Sequence, residues 1–410
     1  MPPGAARVEA LAALVHVGLV LPSRHGLAVE AAQGLGREAT RAVDEAGALA
    51  SRSPEALLDV AALLAGAGRA MTDLAPEASQ AVAGAFARAA PILRALRHGD
   101  GGLARFHGGG RGSEGRLDEV LAQAGRSRAG PPGTLAMGFA RLHASRVSVI
   151  ADAARPPQGA ASAEAHASAL AIEVTSGRHP LVVSCGPGRA FGAEWRRAGR
   201  ATPSHSTLTL DHLSSSRLAA PRPGEAGGRL AEGPSRVVFE PGSGLRVEMA
   251  HDGWRATHGL THARTLDLAP DGGWLVGEDL LTTLTATDGR LLDRAIDRSE
   301  GLGLAVHVRF HLHPDVEAGA GEDGRVDLGL PGGERWALSQ EGAAEIAIEP
   351  SAYLEEGAEA PRLSAQVVLV ARALGPSTRL RWTLARTLGT SRGLRAPAPD
   401  PEPSRDEEQR

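Results

Sequence analysis

The chain has 410 residues, 42% of them hydrophobic and 22% charged, which predicts two or three folded domains and excludes a disordered chain. A formal net charge of −4 without a concentrated basic excess argues against a nucleic-acid partner, and no run of about 18 apolar residues predicts a membrane span. Cys185 is the single cysteine, which excludes an intrachain disulfide and a cysteine-based metal cluster.

All 44 basic residues are arginine, because lysine does not occur; asparagine is absent as well. Arginine suits bidentate recognition of carboxylate or sulfate, but the joint loss of lysine and asparagine reads first as coding bias.

Residues 5–97 carry helical periodicity. Apolar stripes run through Val8, Leu11, Leu14 and Val15, through Leu57, Leu58, Val60, Ala61 and Leu64, and through Val82, Phe86, Ala89, Leu93 and Leu96. The N-terminal stretch includes Glu9 and His16 and lacks a small-residue cleavage site, so it reads as a helix rather than a signal peptide. Ser53-Pro54-Glu55 supplies an N-cap followed by proline at the first helical position. The loop from Asp100 to Gly115 is glycine-rich, but it has no GxxxxGK[ST] pattern and no strand ahead of it, so it reads as a plain loop. Residues 1–125 are thus expected to be helical, with a Gly/Arg/Pro linker at 126–136.

From Met137 the text changes to short apolar or alternating runs, among them Val147–Ala151, Leu181–Ser184, Leu304–Leu312 and Gln366–Ala371. Turn signals such as Asp252-Gly253, Asp271-Gly272-Gly273 and Asp288-Gly289 lie between them, which predicts an antiparallel sandwich over 137–392, with no long helix inside Leu245–Leu312. His205 heads an alternating run to Leu210 that reads as a half-buried strand. Cys185 sits at a strand end and reads as an inert buried thiol. His311 and His313 fall on one strand face and read as structural polar residues. The Pro- and charge-rich end, 393–410, is expected to be a disordered tail. No Gly-x-Ser-x-Gly elbow appears, so nothing points to a hydrolase triad.

Three segments of the β part resemble the heparinase II/III-like polysaccharide lyases, whose pattern runs HxHAD-x-x-SFEL, VVDPG and R-x-T-x-x-HNT. They are Glu164-Ala165-His166-Ala167-Ser168-Ala169-Leu170-Ala171-Ile172-Glu173-Val174, Val182-Val183-Ser184-Cys185-Gly186 and Arg200-Ala201-Thr202-Pro203-Ser204-His205-Ser206-Thr207. Upstream, Ala48-Leu49-Ala50-Ser51-Arg52-Ser53-Pro54-Glu55 is similar to the family's GGHxxRNPE turn, and Arg97–Gly109 to its HGDGGLALFNGG loop. The stretch from His251 to Arg264 is similar to the family's HDGYxxxxGLxHxR strand pair. The resemblance implies a multidomain α + β chain: an incomplete (α/α) toroid, N-terminally short against the family, followed by an antiparallel β-sandwich. It also implies β-elimination on a uronate-containing acidic polysaccharide, in proteins that often act in the cell envelope.

The same resemblance implies a zinc site built from His166, His205 and the residue at the VVDPG aspartate, which here is Ser184. Serine is a poor ligand for a structural cation, so weak or lost zinc binding is expected. The catalytic pattern departs further. Glu164 replaces the first histidine of HxHAD, Leu49 replaces the toroid histidine, His107 stands where the loop carries asparagine, and Tyr353, the only tyrosine, lies outside the helical part.

Substitute candidates are His107 and Glu164 for proton transfer, with Arg200 to neutralise a carboxylate; His98 and Arg105 are further possibilities. Arg105, Arg197 and Arg200 are expected to form a cationic cleft. Two functions follow: a lyase with a degenerate site, or an inactive family member that binds glycan or serves as a structural protein.

Overall fold

A computed structural model describes residues 4–125, 133–220 and 228–387. The expected tail at 393–410 and the linker residues 126–132 lie outside these. Four helices, Ala5–Val20, His25–Ala42, Pro54–Ala70 and Pro76–Ala95, pack side by side, and the short helix Arg116–Gln123 closes the group. Ser53 caps the third helix, its Oγ accepting from Ala56 N at 3.4 Å. The alanines that raise helix propensity also let the helices approach closely: a Cβ on Gly36 would lie 2.9 Å from Ala78 Cα.

The β part forms two eight-stranded antiparallel sheets. In the first, the order is Phe139–Ala144, Val147–Asp152, Ile172–Ser176, His179–Val183, Leu304–Leu312, Arg362–Ala373 and Glu345–Tyr353, with Leu208–Leu210 also paired to Leu304–Leu312. The second runs from Glu317–Ala320 at one edge, through Arg335–Glu341, Ser377–Thr387, Trp274–Thr282 and Leu260–Leu268, to Val237–Pro241 at the other. Both inner faces share one core, in which Leu142, Val149, Val174 and Phe310 meet Leu266, Leu275, Trp336 and Trp382.

The first sheet is covered on its other face as well. Phe139, Ile150 and Ala171 point away from the sandwich core into the helical core with Leu57, Leu93 and Phe106. Strand period two therefore serves two cores at once. Arg52 pins this junction, donating to the carbonyls of Met137, Gly138, Ala154 and Arg155 and to Asp152 Oδ1 at 2.5 Å, with its guanidinium over the Phe139 ring.

Two expectations need correction. The helix Ala286–Arg298 interrupts the β part. Thr285 Oγ1 accepts from Asp288 N, and Asp288 Oδ2 reaches back to Leu284 N, so Asp288-Gly289 opens a capped helix rather than making a turn. The strand Leu208–Leu210 is buried on both faces rather than half-buried, because Thr207 and Thr209 lie under further chain and donate to Ala169 O and His307 O.

Candidate functional site

The sequence candidates gather where the Arg105–Gly109 loop meets the first sheet. His107 and Gly108 both take left-handed backbone, with φ of 49° and 80°. A side chain at Gly108 would press its Cβ to 2.7 Å from Glu164 Cβ, so only glycine lets the loop come so close. That approach places Gly108 N 2.9 Å from His166 Nε2, while His107 Nδ1 accepts from His166 N at 3.1 Å. His107 Nε2 faces Asp152 Oδ2 at 3.4 Å. His205 lies beside His166 with ring centres 5.1 Å apart, and its Nδ1 meets Ser184 Oγ at 3.2 Å.

All three imidazoles are inside the protein. Burial lowers the His107 pKa against the pull of Asp152. Burial and the neighbouring His205 and His107 hold His166 well below the ordinary value, and burial with His311 brings His205 to about 3. They are neutral near pH 7.

Among the described residues, the buried nitrogens His166 Nδ1 and His205 Nε2 have no hydrogen-bond partner, which is the feature that invites a cation. The donor set does not fit zinc. Because Gly108 N–H points at His166 Nε2, the neutral ring carries its proton on Nδ1, so the free nitrogen is a donor rather than a lone pair. Ser184 Oγ is engaged with His205 and brings no negative charge. Among the described residues, no group of three His, Cys, Asp or Glu side chains is placed to hold a metal ion.

The catalytic candidates are likewise engaged within the protein. His107 is 1% exposed. Arg200 is 2% exposed, donates to the carbonyls of Ala165, Gly228 and Ser162, and has its pKa lowered by burial to about 10. Glu164 reaches the surface but is ion-paired with Arg196. The expected cationic cleft of Arg105, Arg197 and Arg200 does not assemble: Arg105 and Arg200 are buried on separate partners, and only Arg197 is exposed.

The central carboxylates were not singled out from the sequence. Glu173 receives Arg105 N and Nε and Ser184 N, and faces His98 Nε2 at 3.3 Å. Burial alone would raise its pKa, but Arg105 and His98 outweigh that and hold it at about 2. Asp152 plays the same part for Arg52, Ser168 and His107. A lone carboxylate inside an apolar strand, as in Ala171-Ile172-Glu173-Val174, is the signal that could have found Glu173. Tyr353, remote in sequence, comes to Arg105: NH1 donates to the phenol oxygen, and the guanidinium lies 4.8 Å from the ring centre. His311, by contrast, is structural as expected, bonded to Pro203 O and Ser351 Oγ beside Cys185, whose thiol pKa burial raises to about 11.

A second histidine group lies in the sandwich core. His251 Nδ1 accepts from Gly253 N, its Nε2 meets His262 Nδ1, and His262 Nε2 meets Asp279 at 2.7 Å. Arg264 holds both oxygens of Asp279 and crosses to Leu170 O and Ser206 O, just ahead of two strands of the first sheet. Trp382 Nε1 completes the set on Asp279 Oδ2. This network fastens the two sheets together.

Comparison with known proteins agrees with this architecture. FtsZ-localized protein C of Caulobacter vibrioides is 32% identical over 353 residues, 84% of this chain and 58% of that protein. Among solved structures, a heparan sulfate lyase mutant from Pedobacter heparinus superposes with a TM-score of 0.67 at 12% identity, over 92% of this chain and 59% of that one. Heparinase III superposes with a TM-score of 0.68 at 12% identity, over 94% and 62%. The chain thus spans about three-fifths of the length of each of these. The family described as heparinase II/III-like, C-terminal, matches residues 127–383, and the chain belongs to that family.

Proposed function

We infer that the protein is a catalytically silent family member that holds an acidic polysaccharide, with its helices as part of an (α/α) toroid. The observation that carries this reading is the engagement of the candidate groups. His107 and Arg200 are buried on internal partners, and Glu164 is paired with Arg196. A general acid or base must reach the proton it moves, and a buried imidazole on a backbone amide does not. The reading also takes the zinc site as lost and places the protein at the cell envelope. It is tested by titrating heparan sulfate at rising salt: binding that weakens with screening supports it, and no binding at low salt removes the glycan.

A second reading rests on the relative named for localisation with FtsZ, whose match covers 84% of this chain, helices included. On that reading the protein acts at FtsZ-rich sites through protein contacts. A fluorescent fusion that follows FtsZ in dividing cells, with no affinity for heparan sulfate, would favour it.

A further inference from the structure

The strand Leu208–Leu210 ends in a tight turn, closed by Leu213 N–H donating to Leu210 O at 2.9 Å. Both central residues, Asp211 and His212, take left-handed backbone, with φ of 50° and 59°. Such a turn ordinarily carries Asn-Gly or Asp-Gly, because a Cβ is disfavoured there, so a histidine at its second position is held at a conformational cost. Asp211 N–H donates to Ala305 O at 2.7 Å and ties the turn to Leu304–Leu312. The exposed His212 ring thereby lies against His307 of that strand, with centres 5.2 Å apart and planes tilted by 42°.

This pair differs from the other histidine groups in being unengaged. His166, His205, His251 and His262 are each held by a backbone amide, a hydroxyl or a carboxylate. Neither His212 nor His307 makes a hydrogen bond or ion pair with the described residues, and His307 Nδ1 is buried without a partner among them. Arg309, the next residue on the same strand face, is occupied by Glu349 and Gln366. Asp211 faces His258 at 3.6 Å and so is no third ligand. Burial, with Arg309 and His212 adding to it, lowers the His307 pKa against the pull of Glu349. That ring is therefore neutral at pH 7 and has a lone pair to offer.

Two imidazoles bound to one ion through nitrogens at about 2.0–2.1 Å have ring centres roughly 4.5–5.3 Å apart, from a right angle to a tetrahedral one, and the 5.2 Å separation falls in that range. Imidazole suits zinc, nickel and copper, and copper(II) heads that series in affinity. We propose that His212 and His307 form a two-histidine site for a divalent transition-metal ion, copper(II) ahead of nickel and zinc, with the remaining positions open to water. Two protein ligands in an open setting make the ion exchangeable, so dialysis removes it.

Copper(II) titration of the full chain, read by calorimetry and electron paramagnetic resonance, tests it. One equivalent is expected, with hyperfine splitting from two imidazole nitrogens, and nickel or zinc should displace it only in excess. Glycine suits the left-handed turn, so His212→Gly keeps the fold. It should lose the two-nitrogen signal and weaken copper by about tenfold or more, since even the outer partners of a metal ligand are worth about that. His307→Ala should do the same. The chain has 15 histidines, so His25→Ala, at an exposed histidine outside the site, is the control and should leave copper binding unchanged. No copper binding, a two-nitrogen signal that persists in His212→Gly, or an equal loss in His25→Ala overturns the proposal.

Discussion

Two groups of buried histidines in this molecule look alike in the sequence and differ in completeness. Around Asp279, both nitrogens of His251 and His262 have partners, and Arg264 carries the network across to Leu170 O, just ahead of a strand of the first sheet. Around His166 and His205, one nitrogen of each ring has none among the described residues, although both rings are equally buried. Burying a polar atom without a partner costs about 1–3 kcal/mol, so the first group stabilises the fold and the second is tolerated by it. The family motif containing His251, His262 and Arg264 is therefore a fastening between sheets. The motif containing His166 and His205 is a buried group left incompletely paired, with Ser184 Oγ meeting only His205.

The largest effect separating the two groups is expected at Asp279. Asp279→Ala leaves the Arg264 cation buried without its carboxylate and should cost about 3–5 kcal/mol, read as a lower urea midpoint. A loss under about 1 kcal/mol would break the comparison. Arg52→Ala removes the pin between helices and sandwich, including its bond to Asp152, and should cost about 3 kcal/mol in the same measurement. If the midpoint does not move, the junction is held by apolar packing alone.

Much of this contrast was legible only in part from the chain itself. Periodicity of 3.6 before residue 97 and short alternating runs after 137 announced helices followed by sheets. The helix Ala286–Arg298 was missed because Asp288-Gly289 looks like a turn, although Thr285 and Asp288 together form a capping pair and Leu292, Ala295 and Ile296 share one face. The resemblance to the family's motifs points to His166, Ser184 and His205, and the structure brings them together. What spacing could not carry was tautomer and partner. That Gly108 N fixes the proton on His166, or that Tyr353 returns to Arg105 across 248 residues, depends on pairings distant in sequence.

Acid should expose the histidines. His251 lies well below its ordinary pKa through burial and His262, and burial lowers His311 to about 4, so the unfolded chain takes up these protons first. Their stabilising contribution is complete above about pH 6.5. It falls as pH drops toward the folded values, by up to about 1.4 kcal/mol per pH unit for each histidine. Asp279 and Glu173, whose pKa values are held low, lose theirs only below about pH 4. Thermal melts should therefore decline already between pH 6.5 and 5, and a melt flat over that range would contradict the burial assigned to these rings.

The smallest effect is expected in the incomplete group. His205→Leu deletes an unpartnered nitrogen along with one serine contact and should change stability by no more than about 1 kcal/mol. Dialysed wild-type protein should retain no stoichiometric zinc by elemental analysis. One equivalent of zinc, lost in His205→Leu, would show that the group is a metal centre after all.

Catalytic silence is tested most directly by ultraviolet absorbance, because β-elimination leaves a conjugated 4,5-unsaturated uronate. Incubation with heparan sulfate, heparin or alginate should give no rise in absorbance, with His107 buried and Glu164 paired with Arg196. Removing one general acid or base typically slows such a reaction by about a hundred- to ten-thousand-fold, so the incubation must be long. A steady rise that disappears in His107→Ala or Glu164→Ala would contradict the account and make those residues the working acid and base.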